Sequence, residues 1–403
     1  MLLENKLSLE DIVDKLPGKR IVMRVDYNVP IANGEVSDST RIVATIPTLK
    51  FLIEHQVKSI ILLSHCGRPN GKVDPKYTLA PVAPVLSELI KMPVKFINNC
   101  VGDTVLQQLN DGFIFLLENV RFHAEEEAKS GYEEFRKQLT LLGDIYVNDA
   151  FGSSHRPHSS VVGIDLPLKV AGLLVKRELK YFGTVLESPN RPFLSILGGA
   201  KVKDKVKLIM NLLDKVNEII IGGGMAYTFL KVKENMSIGS SIFDPEGVQI
   251  VPKILEKATE KGVKIHLPVD FVINNGFKNE GPIKIVGKEE GIPDGWEGLD
   301  CGPESSKQFH NVIINAKTIV WNGPLGVFEM SNFAKGSLSC LDSCVEAKNN
   351  GAVTIVGGGD TAALVESVNK GSLFSHVSTG GGASLELLEG KVLPGIASLS
   401  DSC

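Results

Sequence analysis

The chain has 403 residues, 43% apolar and 22% charged, with 43 Lys and Arg against 47 Asp and Glu for a formal net charge of −4. That length suits two domains, and the lack of a basic excess sets aside a nucleic-acid binder. No apolar run approaches the roughly 18 residues that would span a bilayer. The opening MLLENKLSLEDIVDKL carries acids inside its apolar stretch and no small-residue cleavage site, so we expect a cytoplasmic enzyme without a membrane partner.

In chain order, 20–25 (RIVMRV) reads as a strand and about 40–55 as a helix. In that helix Ile42, Ile46, Leu49 and Ile53 repeat at helical spacing behind a cap signal in Asp38, Ser39 and Thr40. Strands follow at 59–63, 94–97, 113–117 and 144–147, with helices near 80–90 and at 133–142. A helix over 173–186 leads into the second half. There, strands are expected at 193–197, 218–221, 263–266, 317–321, 352–356 and 375–378, with a helix over 202–216 and a polar, glycine-rich excursion over 274–298. Strands without alternation are buried on both faces, and helices between them imply parallel sheets.

Open parallel sheets bind ligands beyond the carboxyl ends of their strands. In the first half those positions hold Asp26 and Asn28, then Ser64, His65 and Arg68, then Asn119, Arg121 and His123, then Asn148, Asp149, His155 and Arg156. Arg41 opens the first helix. Four arginines with few acids nearby suit a small polyanion, because a guanidinium fork matches carboxylate and phosphate oxygens. Glu125 to Glu127 read as a solvated run. His155 and His158 lack a third ligand for a metal.

The second half has different chemistry. No arginine follows Arg191, and eleven of the 40 glycines fall in four runs at 198–199, 222–224, 357–359 and 380–382. Each run follows a strand and precedes a helix, where backbone N–H groups can cradle phosphate. Lys201 and Lys205 share a helix face after the first run, Asp360 suits a nucleotide-bound Mg2+, and Glu329 suits a ribose contact. There is no Walker A motif. Gly357-x-Gly359-x-x-Ala362 keeps a dinucleotide-dependent dehydrogenase in second place, but the acid expected about 20 residues on is missing. Six cysteines without a C-x-x-C pair give no disulfide framework; Cys340 and Cys344 read as helix core, and Cys403 is no prenylation site.

RVDYNVP (24–30), LLSHCGRP (62–69), LLENVRFH (116–123), YVNDAFGSSHR (146–156), LGGAKVKDK (197–205), IGGGMAYTFL (221–230), LDCGPES (299–305), WNGPLGVFE (321–329), VGGGDT (356–361) and STGGGASLELLEGK (378–391) together resemble the phosphoglycerate kinases. The resemblance runs from about residue 20 onward. It implies two Rossmann-like α/β/α domains with mainly parallel sheets, a 3-phosphoglycerate domain over 1–172 and a nucleotide domain over 189–392. A hinged helix over 173–188 would join them, and 393–403 would return to the first domain. Implied substrate contacts are Asp26, Asn28, Arg41, His65, Arg68, Arg121 and Arg156. Implied nucleotide contacts are Gly199, Ala200, Lys201, Lys205, Gly222, Gly223, Leu299, Asn322, Gly323, Pro324, Val327, Glu329, Gly358, Gly359, Asp360 and Thr361. Arg41, Lys201 and Lys205 would serve catalysis, with Asp360 on the Mg2+ of Mg-ADP or Mg-ATP. The family further implies a cytoplasmic monomer that moves a phosphoryl group directly between 1,3-bisphosphoglycerate and ADP as its domains close. Departures are Tyr27, Cys66 and a short connection near 128–131. A scaffold with a degenerate site is disfavoured because Arg41, Lys201 and Asp360 are all present.

Overall fold

A computed structural model describes residues 3–110 and 112–402; Cys403 lies outside them. The described residues up to Phe182, with those from Val392 on, form one compact unit, and Gly183–Lys391 forms a second. The boundary falls inside the helix Leu173–Glu187.

The first unit is built on a six-stranded parallel sheet in the order Val94–Ile97, Ile114–Leu117, Ser59–Leu63, Arg20–Arg24, Ile145–Asn148, Lys169–Ala171. Inner strands such as Ser59–Leu63 are buried at every residue, which is why their sequences do not alternate. Only the edge strand Val94–Ile97 is half-exposed along most of its length. One face buries Ile21, Met23, Ile60, Leu62, Ile114 and Leu116 against Leu49 and Leu52 of the helix Thr40–Glu54 and Leu86 of the helix Val82–Ile90. Lys169–Ala171 went unread in the sequence because three residues carry too little pattern.

Residues after Lys391 complete this unit. The Lys6 ammonium, itself buried, donates to the Leu399 carbonyl at 2.9 Å and lies 2.7 Å from the Asp401 carboxylate. The Gly395 N–H donates to the Ser154 carbonyl at 2.8 Å.

The second unit carries six parallel strands in the order Lys264–His266, Glu218–Ile221, Phe193–Leu197, Thr318–Asn322, Val353–Gly357, His376–Val377. The order reverses between Phe193–Leu197 and Thr318–Asn322, which makes the crevice at their carboxyl ends the place for a ligand. The expected excursion over 274–298 contributes to a small antiparallel sheet, Ile283–Gly287 and Glu297–Cys301 flanking Asp270–Asn274. The helix expected over 202–216 ends at Leu212. Its apolar period continues because Leu213 and Val216 stay buried while the backbone turns. Cys340 and Cys344 are buried on the helix Lys335–Asn349. Among the described residues no helix is long and apolar enough to cross a membrane.

Candidate functional site

In the first unit the loop after Arg20–Arg24 presents Asp26 and Asn28. Arg41, in the first turn of Thr40–Glu54, donates to the Asp26 carboxylate at 2.8 Å. Asn28 accepts the Gly67 N–H at 2.9 Å, and Arg121 donates to the Gly67 carbonyl at 2.9 Å. Gly67 is therefore the joint between two strand ends. Its φ of +59° and the Tyr77 ring, 2.2 Å from where a Cβ would stand, leave room only for glycine. Asn119 holds the next loop, accepting the Arg121 N–H at 3.0 Å and donating to the Cys66 carbonyl at 2.7 Å. Tyr27 is accommodated because its hydroxyl lies 2.8 Å from Thr45 Oγ1; the Thr45 proton goes to the Ile42 carbonyl, so Tyr27 is the donor.

The cations share one neighbourhood. His65 is held well below the usual imidazole range by burial and then by Arg24, Arg121 and Arg41. Burial, Arg121, Arg24 and Arg156 push His158 down to about 4. Burial also lowers Arg121; Glu127, 3.2 Å from its Nε, opposes that and Arg68 adds to it. Arg68 and Arg156 are exposed and have no carboxylate partner among the described residues. Unpaired guanidinium groups at strand ends are free to take an anion.

Of the run Glu125 to Glu127 that the sequence suggested was solvated, Glu127 is exposed and Glu125 half-exposed, but Glu126 is not. Glu126 is 1% exposed, and its carboxylate accepts the Ser160 N–H at 2.8 Å and the Ser160 hydroxyl at 2.6 Å. Burial raises its pKa, opposed by Arg24 and by the Ser160 bonds. Arg24, also 1% exposed, was read only as a strand residue. Nothing in a strand of the pattern RIVMRV separates a buried arginine from a surface one.

In the second unit the two strands at the order reversal approach until only glycine fits. A Cβ on Gly198 would stand 1.9 Å from the Pro324 carbonyl oxygen, and one on Gly323 2.3 Å from the Gly198 oxygen. Beside this contact opens a cavity of about 530 Å³. Of the expected residues, Gly199, Ala200, Gly223, Leu299, Pro324, Val327, Glu329 and Asp360 line it, joined by Tyr227, Ile242 and Phe277, which the sequence did not single out. Phe277 is 67% exposed, offering a bare aromatic face at the wall.

Other expected residues support the wall rather than line it. Lys205 donates to Asn322 Oδ1, and burial lowers its pKa. Asn322 donates to the Gly357 carbonyl at 3.1 Å, beside Gly358 at φ +90°. The Gly323 N–H donates to Thr361 Oγ1 at 2.7 Å. Lys201 is the exposed N-cap residue of Val202–Leu212, so the two lysines take up different environments. Asp360 is exposed in the first turn of Gly359–Ser367. Among the described residues no group of three metal-ligating side chains gathers. A lone carboxylate beside glycine-rich helix starts fits a Mg2+ that would take its other oxygens from a bound polyphosphate and water.

Behind the cavity wall Asp300 is buried, accepting the Gly336 N–H at 2.8 Å and the Cys301 N–H at 2.9 Å. Burial lifts its pKa to about 7.

The chain matches the family described as Phosphoglycerate kinase over residues 9–391. It is 54% identical to the phosphoglycerate kinase of Plasmodium falciparum, covering 99% of this chain and 100% of the relative. With that of Dictyostelium discoideum it shares 54% identity over 98% of each chain. Among solved structures, the phosphoglycerate kinase of Coxiella burnetii superposes with a TM-score of 0.89 at 37% identity, covering 98% of both chains.

Proposed function

The chain belongs to the phosphoglycerate kinase family and is a phosphotransferase, and from that premise we propose how its two sites divide the reaction ATP + 3-phosphoglycerate ⇌ ADP + 1,3-bisphosphoglycerate. The first unit takes the phosphoglycerate on Arg68, Arg121, Arg156, His65, Asp26 and Asn28. The second takes the nucleotide in the glycine-walled cavity. What carries this division is the separation of chemistries: partner-free arginines in one unit, and close-approach backbone glycines around an aromatic-walled cavity in the other.

The acceptor is a carboxylate, ionised at neutral pH, so no general base is needed. The protein's work is alignment and charge neutralisation of the moving phosphoryl group. Arg41 supports the carboxyl end of the substrate from its position beside Asp26. Lys201 and the N–H groups of the glycine loops support the phosphate chain, and Lys205 steadies the wall through Asn322. Mg2+ on Asp360 would supply charge compensation for the polyphosphate. We place the enzyme in the cytoplasm as a monomer, as the family resemblance implies.

The test is an assay with ATP and 3-phosphoglycerate, with and without hydroxylamine to trap the acyl phosphate. ADP release that depends on 3-phosphoglycerate, rises with hydroxylamine and stops with excess EDTA is expected. No ADP above blank would sink the proposal; unchanged turnover in the chelator would remove Mg2+ and Asp360 from it.

A further inference from the structure

Arg24 closes the strand Arg20–Arg24 with its guanidinium in the interior, where a charge is tolerated only when its hydrogen bonds are met. Its Nε donates to Ser160 Oγ at 2.8 Å, one terminal nitrogen donates to the Val25 carbonyl, and the other lies 3.1 Å from Nδ1 of His65. Ser160 is itself fastened by both oxygens of Glu126. The chain of contacts therefore runs Glu126, Ser160, Arg24, His65, from the helix start at Ser159 through the sheet to the loop after Ser59–Leu63.

A guanidinium has five donor hydrogens and no acceptor. The imidazole nitrogen facing it must carry a lone pair. His65 Nδ1 is thus the acceptor, the ring is neutral, and its single proton sits on Nε2. Nε2 has no hydrogen-bond partner among the described residues, and His65 as a whole is 7% exposed. We infer that Arg24, anchored by the Ser160 and Glu126 pair, is a positioning residue that fixes His65 as a neutral Nε2–H donor to an anionic oxygen of the substrate. This rests on the substrate site proposed above.

The groups that act most strongly on the ring keep it neutral. Arg24 faces it from the central strand, Arg121 from the turn Val120–Phe122, Arg41 from the helix Thr40–Glu54, and His158 from the start of Ser159–Val162; burial acts the same way. The site gains a hydrogen bond from His65 without a charge that would come and go with pH, which leaves the charge work to the arginines.

Nitrogen-15 spectra of the histidine rings in the full, ligand-free chain test this directly. Expected is a bare Nδ1 and a protonated Nε2 on His65, unchanged from pH 5.5 to 8. Added 3-phosphoglycerate should move the Nε2–H resonance and leave the tautomer alone. Arg24→Met should let the ring exchange tautomers and titrate, and raise KM for 3-phosphoglycerate about tenfold, the worth of one hydrogen bond to a charged group. The raised KM should become pH-dependent, with kcat within twofold. If that variant does not fold, Ser160→Ala, which removes the Nε acceptor and the hydroxyl bond to Glu126 but keeps the contact of Arg24 with His65, should shift the same readouts in the same direction by less. A wild-type ring with a proton on Nδ1, or one that protonates above pH 6, overturns the inference. A His65 spectrum indifferent to 3-phosphoglycerate that calorimetry shows to be bound overturns its role toward substrate, whereas no calorimetric binding of 3-phosphoglycerate overturns the substrate site on which the inference rests.

Discussion

On the reading proposed above, the two units hold phosphate with opposite materials. The first uses side chains: guanidinium groups set at strand ends, two of them without a carboxylate partner. The second uses backbone: strand ends so close that glycine alone fits, with N–H groups at helix starts beside a cavity. A side-chain site should lose function in graded steps. A backbone site should fail at once, because an added Cβ collides with peptide atoms that cannot move aside.

The largest expected effect breaks the backbone site. Gly198→Ala places a Cβ against the Pro324 and Gly323 carbonyl oxygens. It should cost the second unit about 3 kcal/mol or more and abolish nucleotide binding. Both tryptophans, Trp296 and Trp321, lie in that unit, so denaturant unfolding followed by their fluorescence reads it selectively. Calorimetry should find 3-phosphoglycerate binding intact. Wild-type nucleotide affinity in this variant would refute the backbone account.

Each unit also buries a carboxylate at a helix start. In the first, Asp149 accepts the Leu174 N–H at 2.9 Å, and burial lifts its pKa to about 6; Asp300 plays the corresponding part in the second. From pH 4 to 6 the folded Asp149 keeps a proton that the unfolded chain has released. Stability is therefore highest below the unfolded value and falls as pH rises through the folded one, by about 3 kcal/mol at most. Scanning calorimetry across that window should show the decline, and Asp149→Asn should flatten it.

Within the side-chain site, Arg41 and Arg156 sharpen the contrast. If Arg41 serves the end of the substrate where phosphoryl transfer occurs, as proposed above, Arg41→Ala should lower kcat by roughly 10². Arg41→Lys should recover only part, because a point charge cannot span two oxygens. Steady-state kinetics with KM alone altered would make Arg41 a binding anchor. Arg156→Ala should do the milder thing, raising KM for 3-phosphoglycerate about tenfold with kcat nearly kept, since it holds ground and transition states alike.

Both materials were legible in the sequence, and the residues that support them from inside were not. Glycine runs after strands point to a phosphate site from spacing alone, and Gly199, Gly223 and Asp360 do line the cavity. The arginines were equally plain, because Arg68, Arg121 and Arg156 follow the apolar strand runs and Arg41 opens the first helix. Residues acting from inside the fold were not. Arg24 sits in a strand, Glu126 in an acidic run and Asp300 at the end of a strand, and only tertiary contacts reveal that they are buried. Phe277 lay hidden in a polar stretch because its value comes from the cavity it borders.

The residues after Lys391 give synthesis an order of events. Lys6 buries its ammonium among carbonyls of Ala397 and Leu399, and Asn148 donates to the Gly395 carbonyl at 3.3 Å. While a ribosome is still making 183–391, Lys6 has water in place of those carbonyls and the Asn148 side-chain nitrogen keeps only its bond to Ser154. At roughly 5–20 residues per second the wait is about 10–40 s. During it, the sheet that forms first is a structure missing its last piece, and a nascent chain stalled before Leu393 should remain open to proteases around Lys6 and Ser154 long after its strands have paired.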